Sequence, residues 1–308
     1  MILDTRLGNT PRWFLAPPED YTMRVPGVVR DCVIFIGTPE VDDSGQLTTK
    51  WRGTGFFVSV PSESNPNIAY IYLVTAQHVA RRVESSGLII RVNTKDGKAE
   101  SLSVPPNLVN WWYHPTDAHA DVAAVPIGLS QERFQYITVP TSMFLTEEIL
   151  QEGTLGVGDE VYITGLFRNM TGTTRNLPII RIGNVAMMPS ERVPTKYYDL
   201  MNAYLIEARS LGGLSGSPVF IHTHVRPQTF LFGLMHGHWE LSDTQGANPD
   251  TEMHEDFGDE GQKVNMGIAI VVPAVDILAT LNQPELSEAR REQDETVLRR
   301  NLPVMDSD

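Results

Sequence analysis

The chain has 308 residues, 41% of them hydrophobic and 20% charged, a balance that supports a globular core without covalent staples. A formal net charge of −14 argues against nucleic acid or an anionic membrane as the main partner. The single cysteine, Cys32, excludes an intrachain disulfide and reads as a core residue of an apolar run in a reducing compartment.

In chain order, residues 1–24 carry Pro11, Pro17 and Pro18 without a sustained period and read as an extended N-terminal arm. They show no basic segment followed by an apolar one, and no stretch of the chain reaches bilayer length. The expectation is therefore a cytoplasmic protein with no membrane partner. Six strand-like runs follow at 28–37, 53–60, 68–76, 87–93, 107–113 and 121–127, each β-branched and bounded by polar, glycine or proline residues. Residues 129–157 break the pattern and read as a linker holding one helical turn. Six further runs lie at 159–165, 178–188, 204–208, 216–223, 230–239 and 264–272. AVDILATL after Pro273 has the apolar spacing of a short helix. The last residues, 283–308, read as a charged tail: ELSEARREQDETVLRR is a potential helix with little apolar face, taken as solvated, with a docking helix for a partner as the alternative.

The fold class expected is all-β, with two six-stranded antiparallel barrels and a short C-terminal helix, because closure removes exposed strand edges. The first barrel would span 25–128 and the second, with its closing helix, 158–282.

Three segments carry chemistry. LVTAQHV ends a strand at His78, Asp121 opens DVAAVPI, and GGLSGSP presents Ser215 on a glycine-rich turn. A serine hydroxyl needs an imidazole to take its proton, and that imidazole needs a carboxylate to fix its tautomer. Glycines let backbone N–H groups converge on one point, as an oxyanion hole requires. His78 and Asp121 are 43 residues apart and fall in the first set of strands. Ser215 falls in the second, so a cleft between the two is expected.

These motifs resemble the trypsin-like (chymotrypsin-fold) serine peptidases, in the disulfide-free bacterial branch of the HtrA-like and glutamyl-endopeptidase-like proteins. The resemblance rests on GTGFFVS, TAQHV, DVAAVPI, VGDEVYITGLF, GLSGSPVF and MGIAIVVPAVDIL, and covers about residues 28–282. It implies a serine endopeptidase with His78 as base, Asp121 as its orienter and Ser215 as nucleophile. Gly213 and Ser215 would supply the oxyanion N–H groups, and the backbone at His236, Gly237 and His238 would pair with a peptide substrate. Leu214 stands where many relatives have an aspartate, so activation by a freed N-terminus has no support. No PDZ domain is expected after residue 282.

Substrate preference stays open between two readings. Arg209 and Ser210 with His238 would favour an acidic side chain, whereas Glu207 pointing inward would reverse the choice. The acidic segment 242–262 is expected beside the cleft. No cofactor is called for; a zinc site from His114, Asp117, His119 and Asp121, or from the His-x-His pairs 222/224 and 236/238, would leave the serine turn unexplained. The partners expected are a protein or peptide substrate and a regulatory partner reached through the termini. The rival reading is a catalytically inactive trypsin-like binding module.

Overall fold

The computed structural model describes residues 25, 27–195, 198, 200–208, 212–223, 228–241 and 264–301. The N-terminal arm 1–24, the acidic segment 242–262, and Arg209, Ser210 and His224 lie outside the described residues.

A 3-10 turn at Gly27–Cys32 buries Val29 and Cys32 before the first strand begins. The Cys32 thiol is fully buried, and burial pushes its pKa up, as befits a core residue. Then come β1 (Val33–Val41), β2 (Leu47–Pro61), β3 (Ala69–Thr75), helix α1 (Gln77–Glu84), β4 (Leu88–Asn93) and β5 (Ala99–Val104). Short strands β6 (Trp112–Tyr113), β7 (Ala123–Pro126) and β8 (Val139–Pro140) complete the first half. These form one eight-stranded sheet in the order β5-β4-β1-β2-β3-β7-β6, with β8 pairing in parallel with β2.

The all-β class is as expected, but of the two barrels expected this half forms an open sheet among the described residues. The physical reason lies in the chain between its edge strands. Pro105 and Pro106 follow β5 directly and have no N–H to donate, so the chain leaves the ladder in a 3-10 turn at Pro106–Leu108. The strand expected over 107–113 is left with only Trp112 and Tyr113, and it pairs with β7 rather than β5. Every residue of β3 and β4 is nonetheless buried. Phe56, Phe57, Leu73 and Ile90 fill one core that continues into the second half through Tyr162, Phe220 and Leu231.

Helix α2 (Glu147–Gln151) is the helical turn expected in the linker. Strands β9 (Glu160–Gly165), β10 (Ile179–Met187), β11 (Tyr204–Glu207), β12 (Pro218–Thr223), β13 (Gln228–Leu241) and β14 (Val264–Pro273) follow. They close into an antiparallel barrel in the order β10-β11-β14-β13-β12-β9, six strands as expected. Helix α3 (Ala274–Leu281) is the short helix foreseen after Pro273, and it buries Ile277 and Leu281.

The charged segment after Asn282 and Gln283 forms the potential helix, α4 (Pro284–Asn301), and this helix is docked rather than solvated. Asp294 is 6% exposed and accepts hydrogen bonds from Ser62 Oγ at 2.8 Å and from the Tyr70 hydroxyl. Arg290 donates to the Tyr72 hydroxyl at 2.9 Å and to the carbonyl of Leu281 at 2.8 Å. A weakly amphipathic helix thus holds to β3 through charge-assisted hydrogen bonds, worth about 1.5–3 kcal/mol each.

Candidate active site

His78 is the second residue of α1, directly after β3. A helix start leaves backbone N–H groups without partners, and the residue before this one, Ala76, has no side chain to cap them. Asp121 takes that role. Its Oδ1 accepts the main-chain N–H of His78 at 2.9 Å, while its Oδ2 lies 2.7 Å from His78 Nδ1. The pairing of β3 with β7 sets Thr75 opposite Ala123. The chain leaves both strands at this end, His78 three residues after Thr75 and Asp121 two residues before Ala123, so the two meet.

A second imidazole shares the carboxylate. His236 Nδ1 lies 2.6 Å from Asp121 Oδ2, and the two rings stand edge to face with centroids 5.6 Å apart. The register between β13 and β14 shifts between Met235 and Gly237, so His236 is the extra residue of a β-bulge. Bulges re-aim side chains, and this one turns the imidazole onto the carboxylate. The Tyr198 hydroxyl donates to Asp121 Oδ1 at 3.3 Å.

Asp121 is wholly buried, His236 is 2% exposed and His78 is 7% exposed. Burial alone would raise the Asp121 pKa, but the two imidazoles outweigh it and hold the carboxyl well below the usual range. An ionised carboxylate only accepts, so both Nδ1 atoms carry the donated proton. Burial pushes the His78 imidazole down, against the pull of Asp121, leaving it neutral. Burial, and then the Asp121 charge, push the Tyr198 phenol up, so it stays a donor.

These three residues are also a group with metal-ligating atoms within 4.8 Å of one another. Ligands of one tetrahedral ion, each bound at about 2.0–2.2 Å, would sit about 3.3 Å apart. The observed separations of 2.6 and 2.7 Å are those of charge-assisted hydrogen bonds. The other histidine cluster is dispersed: His114 Nδ1 accepts the main-chain N–H of Asp117, Asp117 pairs with Arg192, and His119 Nδ1 donates to the carbonyl of Leu200. His222 is half-buried against Thr229 Oγ1 at 3.1 Å.

Ser215 stands on the turn between Gly212 and Pro218, at the seam of the two halves. Its main-chain carbonyl accepts from Thr54 N–H on β2 at 2.9 Å, and its Oγ donates to the carbonyl of His236 at 3.1 Å. Gly213 and Gly216 have φ of 103° and 81°, the left-handed region that favours glycine. A Cβ on Gly216 would also come within 2.2 Å of the Thr54 carbonyl oxygen. The buried Thr54 Oγ1 donates to the carbonyl of Gly213 at 2.9 Å and accepts the N–H of Leu166 at 2.8 Å. It ties the turn to both halves. Among the described residues, no acceptor takes the N–H of Gly213 or of Ser215.

The three residues singled out as a catalytic set therefore gather around one seam, with His78 and Asp121 in direct contact and Ser215 turned towards β13. His236 was expected to offer its backbone, and its carbonyl does face Ser215, but its ring is a partner of Asp121 that sequence reasoning missed. Tyr198 and Thr54 were missed as well. Nothing marks Tyr198 in its loop, whereas Thr54 sits in the GTGFFVS motif and was open to notice. Glu207 is exposed on β11.

No family model matches this sequence, and no curated protein matches it either. Solved structures do match, among them the crystal structure of Deg5, at 16% identity over 68% of this chain and 80% of that chain, with a TM-score of 0.42.

Proposed function

We propose that this chain is a serine endopeptidase of the trypsin-like kind, working through an acyl-enzyme intermediate. The observation that carries the reading is the buried Asp121, which holds a neutral His78 by its Nδ1–H beside the glycine-rich turn of Ser215.

In this reading His78 Nε2 takes the proton of Ser215 Oγ as Oγ bonds to the scissile carbonyl carbon. The carbonyl oxygen gathers negative charge, and the N–H groups of Gly213 and Ser215 are poised to receive it. The intermediate collapses as the C–N bond breaks, with the amine leaving on the proton from His78. Water then repeats the sequence, and Ser215 regains its proton. The serine hydroxyl, now on the His236 carbonyl, rotates about χ1 to reach His78. A Cβ on Gly237 would meet nothing within 4 Å, so a substrate strand has room beside β13. Protein or peptide is then the substrate, and no metal or organic cofactor enters any step.

One observation favours the inactive binding module: Ser215 Oγ is bonded to the His236 carbonyl rather than to His78. Hydrolysis of a peptide library by the wild type and by Ser215→Ala separates the two. The endopeptidase reading expects cleavage that Ser215→Ala lowers by at least about a thousandfold. A folded wild type that cleaves nothing supports the binding module.

A further inference from the structure

Arg168 lies two residues beyond Leu166, in the turn that follows β9, where the N–H of Met170 closes on the carbonyl of Phe167 at 2.9 Å. Its guanidinium rests flat on the nucleophile's turn. The point a Gly212 Cβ would occupy is 3.2 Å from Arg168 Nη2, 3.4 Å from Cζ and 3.5 Å from Nε, near-equal distances that place the plane face-on. The corresponding point on Gly213 is 3.0 Å from Arg168 Cγ. Nε is sealed against the turn with no acceptor, whereas the two terminal nitrogens are not enclosed. Among the described residues no carboxylate or carbonyl pairs with this side chain.

An arginine head partly desolvated, with no acceptor among the described residues, is costly to keep. A guanidinium held flat by one face keeps its in-plane N–H edge for a single planar acceptor, and the carboxylate is the group that matches that edge in shape and charge. Thr54 fixes the arrangement by bonding both Leu166 and Gly213, so the cation keeps a set position beside the oxyanion N–H groups.

We infer that Arg168 is a specificity residue, which receives a side-chain carboxylate of the substrate close to the scissile bond and gives the enzyme a preference for Asp or Glu there. This rests on the peptidase reading above, and it identifies its substrate class without the Arg209 and Ser210 pocket.

The test uses the full chain and peptide pairs that differ only in Glu against Gln at each position flanking the cleaved bond, with fluorophosphonate labelling of the wild type run alongside. Wild type should favour Glu at one position by about tenfold or more in kcat/KM. That ratio should fall to near one in Arg168→Gln, fall below one in Arg168→Glu and be reduced but stay above one in Arg168→Lys, which keeps the charge, loses the planar fork and reports on folding. Labelled wild type with no Glu preference, or an Arg168→Gln enzyme with the ratio unchanged, overturns the inference alone; the latter is also the result expected if Arg168 merely steadies the oxyanion. A folded wild type that neither labels nor cleaves overturns the peptidase reading, and this inference with it.

Discussion

The two halves of the molecule hold their share of the site in different ways. The open sheet of the first half delivers His78 and Asp121 into a fully buried contact, where one carboxylate answers a helix-start N–H, two imidazoles and a phenol. The closed barrel of the second half delivers a half-buried Ser215 on a largely buried turn, held by main-chain hydrogen bonds, by Thr54 Oγ1 and by two left-handed glycines. The His78–Asp121 side is over-determined and tied to folding, whereas the Ser215 side is positioned mainly by backbone, with the N–H groups of Gly213 and Ser215 left without an acceptor among the described residues. The half without a closed barrel therefore builds the part of the site with the denser side-chain hydrogen bonding. Closure of the ladder matters less there than the local register of β3 against β7 and the cap that Asp121 gives to α1.

If that contrast holds, changes on the base side lower both activity and stability, and changes far from the seam lower stability alone. Asp121→Asn tests it hardest. The amide has only one accepting atom: with its oxygen facing the imidazoles its NH2 opposes the main-chain N–H of His78, and with its NH2 facing them the imidazoles must change tautomer. The expected result is a loss of about 10⁴-fold in kcat together with about 1–3 kcal/mol of stability, read from peptide turnover and denaturant unfolding. Loss of activity with unchanged stability would break the comparison.

The pH profile gives an effect of intermediate size. Burial holds His78 below its ordinary value of about 6.5, and protonation removes the base. Activity should be complete above that value and fall only as the pH drops through the depressed one, so the acid limb of kcat/KM should lie below about pH 6.5. Stability has the same sign, since the neutral imidazole is the folded-state form; that contribution is complete above about pH 6.5 and is lost as the pH falls. The Asp121 contribution persists further, being present above about pH 3.9 and lost only in stronger acid. An acid limb above pH 7 would contradict a buried, neutral His78.

Asp294→Ala should have the smallest effect on function. It removes the acceptor of Tyr70 and Ser62 and loosens α4, for about 1–3 kcal/mol in thermal or denaturant unfolding. Turnover should stay within about twofold of the wild type. A large loss of turnover at unchanged stability would link α4 to the site and blur the difference between the seam and its surroundings.

The sequence was most legible where chemistry and local pattern coincide. LVTAQHV, DVAAVPI and GGLSGSP each combine a strand signal with one reactive residue, and the structure brings all three to the same seam. The second barrel was legible too, because its six runs are long and well separated. Other features depend on pairing and distance rather than on composition. Failure of the first sheet to close follows from Pro105 and Pro106 cutting short a run that otherwise reads as a strand. The imidazole of His236 reaches Asp121 only through a bulge, which is a property of β13 against β14. Docking of α4 joins Asp294 to Tyr70 across 224 residues, and a highly charged helix gives no local sign that one aspartate is buried.

The central claim is that Ser215 is an activated nucleophile, and covalent trapping tests it most directly. The folded chain is treated with a fluorophosphonate, digested and mapped by mass spectrometry. The account predicts one adduct, on Ser215 Oγ, that disappears in Ser215→Ala and forms far more slowly in Asp121→Asn. No adduct on the folded wild type, or an adduct on another serine that survives Ser215→Ala, would contradict it.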